Sequence, residues 1–234
     1  MKAVILCAGE GTRLRPLTDT IPKTLIPVAG TPILARIFST LPEEISEAVL
    51  VIQEKQTEAI QNFLDTLKLA IPVSIAYQDM NAKGTYHALL SAKHYTENAD
   101  AFLVLNGDDI FVQSELASLV SLSAPAYGLA KKVLNDIRYR TCDVDESQQK
   151  ITSFRLIRED EKDTPVYCFT GACVLTKDFF TYAPETISSG EAGIPHTLFA
   201  HSASVSFTRF TEWLQINTHE DLRIATEASY SLEQ

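Results

Sequence analysis

The densest chemistry in this chain lies in residues 6–23. Leu6-Cys7-Ala8-Gly9-Glu10-Gly11-Thr12-Arg13-Leu14-Arg15-Pro16-Leu17-Thr18 is followed shortly by Pro22-Lys23. An apolar run feeds a loop bearing two glycines. Glycine lets backbone N–H groups approach an anion closely, and such a loop can form a phosphate-binding nest. Arg13 offers a planar fork that can grip a di- or triphosphate bidentately, and Lys23 adds a compact point charge. Two familiar phosphate loops do not fit. G-x-x-x-x-G-K-[ST] is absent, and Leu14 stands where the dinucleotide fingerprint needs its third glycine.

Two further groups belong to the same chemistry. Gln78 lies at the end of an apolar run and precedes Lys83-Gly84-Thr85. A carboxamide carries a donor and an acceptor, which suits a pyrimidine edge. Asp108 follows another apolar run, in Asn106-Gly107-Asp108-Asp109. A carboxylate at a strand's C-terminal end is well placed to hold Mg²⁺, which takes hard oxygen ligands. Asp109 then points elsewhere, and a turn or a helix cap accounts for it.

The elements that must position these residues are readable from hydrophobic period. Lys2–Cys7, Ala48–Gln53, Val73–Gln78 and Ala101–Leu105 are short apolar runs, the pattern of strands covered on both faces. Helices are expected over Ile33–Ser39, Gln56–Lys68, Tyr86–His94 and Ser114–Ser121, the last capped by Ser114. Strands alternating with helices imply a largely parallel sheet, with ligands at its C-terminal edge. The second half differs. Tyr127–Val133, Arg140–Asp145, Ile151–Arg158, Val166–Leu175 and Ser204–Phe210 read as strands, with helices over Glu191–His201 and His219–Ser229. The expectation is a three-layer α/β/α, Rossmann-like domain over 1–234. Its nucleotide-binding half spans about 1–125 and its acceptor half about 126–234.

Composition narrows the partners. With 20 Lys and Arg against 30 Asp and Glu, the net charge of −10 excludes a general nucleic-acid binder. Residues 1–40 nonetheless carry five cations against two anions, which suggests a site for a small anion. No apolar run approaches the ~20 residues of a membrane span. The six-residue run Ala3–Ala8 is also too short for a signal sequence, which needs ~7–15. The four cysteines form no C-x-x-C and no zinc spacing, and read as buried reduced thiols in a cytoplasmic protein. None of the five histidines sits in H-E-x-x-H.

The pattern A-G-x-G-T-R-L-x-P-L-T followed by P-K resembles the signature of the sugar-nucleotide pyrophosphorylases, the NTP:sugar-1-phosphate nucleotidylyltransferases. This chain matches it nearly throughout residues 3–34. The resemblance implies nucleotide binding by Leu6, Ala8, Gly9, Gly11, Thr12, Gln78, Gly84 and Thr85, with Gln78 favouring UTP or dTTP. It implies catalytic roles for Arg13, Lys23 and Asp108. The late segment Trp213-Leu214-Gln215-Ile216-Asn217-Thr218 resembles the family's W-x-x-(I/V)-(G/N)-T, which makes Asn217 the second Mg²⁺ ligand beside Asp108. Gly171 falls at a sugar-phosphate position, although Thr170 replaces the commoner Asn before it.

One departure matters. After Ile151-Thr152-Ser153-Phe154 the family usually shows E-K-P, whose acid and lysine hold the sugar phosphate, whereas this chain has Arg155-Leu156-Ile157-Arg158. Arg158, or Lys162 further on, is the candidate substitute. The expected reaction joins a nucleoside triphosphate to a sugar 1-phosphate. The alternative is cytidylyl transfer to a phospho-alcohol such as phosphocholine. No nucleic-acid or membrane partner is expected, and self-association stays open.

Overall fold

The computed structural model describes residues 1–79, 81–134, 139–187, 190–202 and 204–232. Nine strands share one sheet: β1 Lys2–Leu6, β2 Glu47–Ile52, β3 Val73–Tyr77, β4 Ala101–Asn106, β5 Ala126–Val133, β6 Arg140–Asp145, β7 Lys150–Leu156, β8 Pro165–Thr176 and β9 Val205–Arg209. Their order is β3-β2-β1-β4-β8-β5-β9-β7-β6. Strands β1 to β4 pair in parallel, β8 runs against β4 and β5, β9 is parallel to β5, and β7 runs against β9 and β6. Only β7 and β8 therefore oppose the common direction, so the sheet is mainly parallel as expected.

Period-2 alternation builds two cores from one sheet. Ala3, Ile5, Leu50, Ile52, Leu103 and Leu105 face one side, where they meet helices α1 Ile33–Thr40, α2 Thr57–Thr66, α5 Gln113–Val120 and α7 His219–Leu232. Val4, Val49, Val51, Phe102 and Val104 face the other, under α3 Thr85–Leu90 and α6 Ile194–His201. The apolar runs are continuous because both faces are covered. Several boundaries shift from expectation. The run over Tyr86–His94 breaks after Leu90 and resumes as α4 Lys93–Thr96. Helix α5 starts one residue before Ser114, with Val112 at the cap and no capping side chain. Helix α6 starts at Ile194 rather than Glu191, with Pro195 in its first turn. Strand β7 stops at Leu156, two residues short of Arg158.

Candidate active site

The C-terminal ends of β1, β2, β3 and β4 open on a cleft of about 440 Å³. Its walls include Leu6, Ala8, Gly9, Gly11, Thr12 and Lys23 from the first loop, and Gln78, Gly84, Thr85 and Asp108 from the next ones. Strand β1 ends at Leu6, whose carbonyl accepts the Gly107 N–H at 2.9 Å, so the glycine loop and the Asp108 turn are stitched side by side. The loop then coils into a short 3-10 turn, Thr12–Leu14, whose Leu14 is fully buried and anchors Arg13 at the surface. A second turn, Lys23–Leu25, brings Lys23 back underneath and leaves it 8% exposed.

Four predicted side chains converge there. The Lys23 ammonium donates to Asp108 Oδ2 at 2.5 Å and to Asn217 Oδ1 at 2.9 Å. The Arg13 guanidinium donates to the same Asn217 oxygen at 3.0 Å. Asn217 is free to do this because its neighbours begin α7 without it. Thr218 Oγ1 accepts the Asp221 N–H, and Asp221 Oδ2 accepts the N–H groups of Asn217 and Thr218, a reciprocal cap. The Ile216 N–H donates to the Asp108 carbonyl at 2.9 Å, which registers the late segment on the Asp108 turn. Asp108 Oδ2 and Asn217 Oδ1 are hard oxygens aimed at one cation, here the ammonium. That donor set fits Mg²⁺.

Asp109 points the other way. It begins a two-residue strand, Asp109–Ile110, paired with Leu214–Gln215, and is fully buried. Burial first, then the Asp108 carboxylate, pushes its carboxyl well above the usual range. Neither carboxyl oxygen has a hydrogen-bonded partner among the described residues. The Trp213 indole N–H, also unbonded, faces it outside hydrogen-bond geometry. Neither a turn nor a helix cap is its role. A Cβ at Gly171 would lie 1.9 Å from Asp109 Oδ2, so only glycine fits there.

Some of the site was not anticipated. Gln53 and Gln56 are 2% and 6% exposed, and their amides donate to the Ala8 and Cys7 carbonyls respectively. They hold the glycine loop's backbone in shape. A buried glutamine just past a strand is the available signal, and it is a weak one. Gln78 donates its Nε2–H to the Ala82 carbonyl at 3.1 Å, and among the described residues its Oε1 accepts no hydrogen bond. The thiols are all free and buried, and burial pushes Cys7, Cys142 and Cys173 up to about 12.

A second compartment of about 300 Å³ adjoins the first, sharing Gly84, Thr85, Asn106 and Glu191. Gly171 lines it, half-buried where β8 bulges between Phe169 and Cys173. Arg158 does not. It lies beyond the end of β7, 60% exposed, within 4.0 Å of Asp143 and 3.8 Å of Glu161. Arg155, in register with the family's E-K-P, is also turned away: it donates to Asp143 at 2.6 Å and to Glu161 at 2.7 Å. The structure therefore brings together every predicted site residue except Arg158 and its alternative Lys162. A larger groove, about 950 Å³, lies beyond His196 and Phe154 and touches none of the four converging side chains.

The profile of the nucleotidyl transferase family matches residues 2–230. The chain is similar to the bifunctional protein GlmU of Methanococcus maripaludis, 41% identical over 114 residues, covering 49% of this chain and 26% of that protein. It is also similar to the UTP–glucose-1-phosphate uridylyltransferase AglF of Haloferax volcanii, 38% identical over 111 residues, covering 47% of this chain and 44% of that one. It thus spans between a quarter and a half of these relatives. Among solved structures, an apo UDP-glucose pyrophosphorylase superposes with a TM-score of 0.83 at 17% identity, covering 100% of this chain and 99% of the other. That likeness bears on the fold.

Proposed function

Because the chain belongs to the nucleotidyl transferase family, we propose that it transfers a nucleotidyl group from UTP or dTTP to a sugar 1-phosphate. The products are a nucleoside-diphosphate sugar and pyrophosphate. The observation that carries this reading is the meeting of Arg13, Lys23, Asp108 and Asn217 within single hydrogen bonds of one another at the sheet's C-terminal edge.

A phosphate oxygen of the acceptor forms a bond to the α-phosphorus. The bond from the α-phosphorus to the bridging oxygen breaks, and its electron pair leaves with pyrophosphate. The acceptor is already an anion, so no general base is needed. The difficulty is to gather many negative charges, which makes electrostatics and positioning the main source of acceleration. Arg13 and the Gly9–Thr12 backbone receive the leaving pyrophosphate. Lys23 neutralises charge near the α-phosphate. Asp108 and Asn217 would hold Mg²⁺, which supplies charge neutralisation between the reacting phosphates. The Gln78 Oε1, which no described residue bonds, accepts the N3–H of uracil or thymine, whereas cytosine presents an acceptor at that ring position. AglF, named for uridylyl transfer to glucose 1-phosphate, supports the same reading. A cytoplasmic setting belongs to this proposal.

The second reading, cytidylyl transfer to a phospho-alcohol such as phosphocholine, rests on the missing E-K-P lysine. One assay separates the two. Mg²⁺-dependent pyrophosphate release is measured for UTP, dTTP, CTP, GTP and ATP, each with a panel of sugar 1-phosphates and with phosphocholine. The proposal expects release with UTP or dTTP and a sugar phosphate. Release only with CTP and phosphocholine replaces it by the second reading.

A further inference from the structure

The compartment beside the nucleotide cleft has an uneven charge inventory. Its described lining contains no lysine and no arginine, and its carboxylate is Glu191. The other polar side chains are neutral, among them Asn106, Thr170 and Gln215, set beside the rings of Tyr127 and Phe169. His196 joins them as a neutral group, because burial and then the Arg140 guanidinium push its imidazole down.

Lys83 lines the nucleotide cleft but not this compartment, and the other nearby cations are engaged elsewhere. Lys23 and Arg13 belong to the nucleotide side. Arg155 and Arg158 are tied to Asp143 and Glu161 away from the compartment. Arg140 lies over the Phe154 ring, 4.9 Å from its centroid. Phe154, Phe199 and Phe169 pack with centroids 5.0 to 5.4 Å apart, with Phe154 and Phe199 on Arg140's groove and Phe169 on the compartment. Glu191 forms no ion pair with a described residue and lines both compartments, next to Gly84 and Thr85.

Resting on the proposed reaction, we infer that the acceptor is a phosphate monoester whose remaining part carries no negative charge, and that Glu191 enforces this. The acceptor's phosphate approaches the α-phosphate on the Lys23 side. A second anion, such as a ring carboxylate, would enter a compartment with no described counter-charge and meet Glu191. A hydroxyl or an ammonium would find the same carboxylate an acceptor. This is selection by repulsion against the wrong substrate as well as by attraction to the right one.

Three probes that share one ring test this: glucose 1-phosphate, glucosamine 1-phosphate and glucuronate 1-phosphate, each with UTP and Mg²⁺. The expected kcat/KM for glucuronate 1-phosphate is lower than for the better of the other two by ~50-fold or more, the scale of a like-charge clash. Glu191→Lys narrows that gap by ~10-fold, and Glu191→Gln narrows it less. Equal use of glucuronate 1-phosphate, or a gap that Glu191→Lys leaves intact, overturns the inference. If no nucleotide and acceptor release pyrophosphate, the proposed reaction fails, and thermal stabilisation by the same three probes then decides the inference alone. Stabilisation by the two carboxylate-free probes but not by glucuronate 1-phosphate sustains it. Equal stabilisation by all three, or by none, overturns it.

Discussion

The Lys23 ammonium sits where one cation must sit if Asp108 and Asn217 are to lie side by side, 2.5 Å from the first and 2.9 Å from the second. Removing it should do two separable things. Lys23→Met is expected to lower kcat by ~10²-fold or more, the size of losing one electrostatic stabiliser, and Asp108→Asn likewise. Lys23→Met should also melt earlier than the parent without Mg²⁺ and recover when Mg²⁺ is added, since Asp108 and Asn217 lose the cation that bridges their oxygens. Near-normal turnover in either variant, seen in steady-state kinetics, would remove that residue from the mechanism. These residues were legible because their types are restrictive: little but phosphate or metal chemistry asks for Arg13, Lys23 and Asp108 at such spacing. Gln53 and Gln56 were not, because a glutamine after a strand reads as ordinary surface until its burial is known. Arg158 failed for a related reason. Its spacing from Phe154 was suitable, but β7 ends at Leu156, and Glu161 accepts the Arg158 N–H and draws the chain outward.

At the scale of elements, the cleft depends on how two loops dock. The Ala192 N–H donates to the Lys83 carbonyl, the Tyr86 N–H to the Ala192 carbonyl, and the Ile194 N–H to Thr85 Oγ1, each at 3.0 Å. Gly84 permits this with φ +103, and a Cβ there would lie 2.2 Å from the Ala192 carbonyl oxygen. Gly84→Ala is therefore expected to destabilise by roughly 1–3 kcal/mol from backbone conformation, with the clash added. It should also raise KM for both substrates. Unchanged urea midpoints and unchanged KM would show that the glycine serves something else. The β6–β7 hairpin is held differently. Hydrogen bonds from Arg155 pull the carboxyls of Asp143 and Glu161 down to about 2. Carboxyls depressed in the folded state stabilise it above their unfolded pKa of ~4, and that contribution is lost as pH falls toward the folded values. Arg155→Met should thus be less stable than the parent at neutral pH, with the gap closing in acid. A gap that stays constant in urea melts from pH 7 down to acid would contradict this. Strands flanked on both faces announced themselves as apolar runs. The start of α5 did not, because packing of Leu116 and Leu119 sets that helix and no capping side chain marks its end.

For the whole molecule, the parallel half of the sheet delivers four loops to one edge, and the β8 reversal brings the second compartment up beside them. The cations of residues 1–40 include Arg13 and Lys23, so a chain of net charge −10 keeps a positive centre where phosphates would gather. Strand–helix alternation in the first half made that architecture readable. The second half was less so, because β8 pairs with β4 across a long sequence separation that no local pattern reports. The central claim is nucleotidyl transfer, and label position tests it most directly. UTP carrying ³²P at either the α or the γ position is incubated with Mg²⁺ and a sugar 1-phosphate. The account predicts that α-label moves into a product containing the sugar while γ-label appears in pyrophosphate. Transfer of γ-label to the acceptor, or its release as free phosphate with α-label left in UDP, would contradict it.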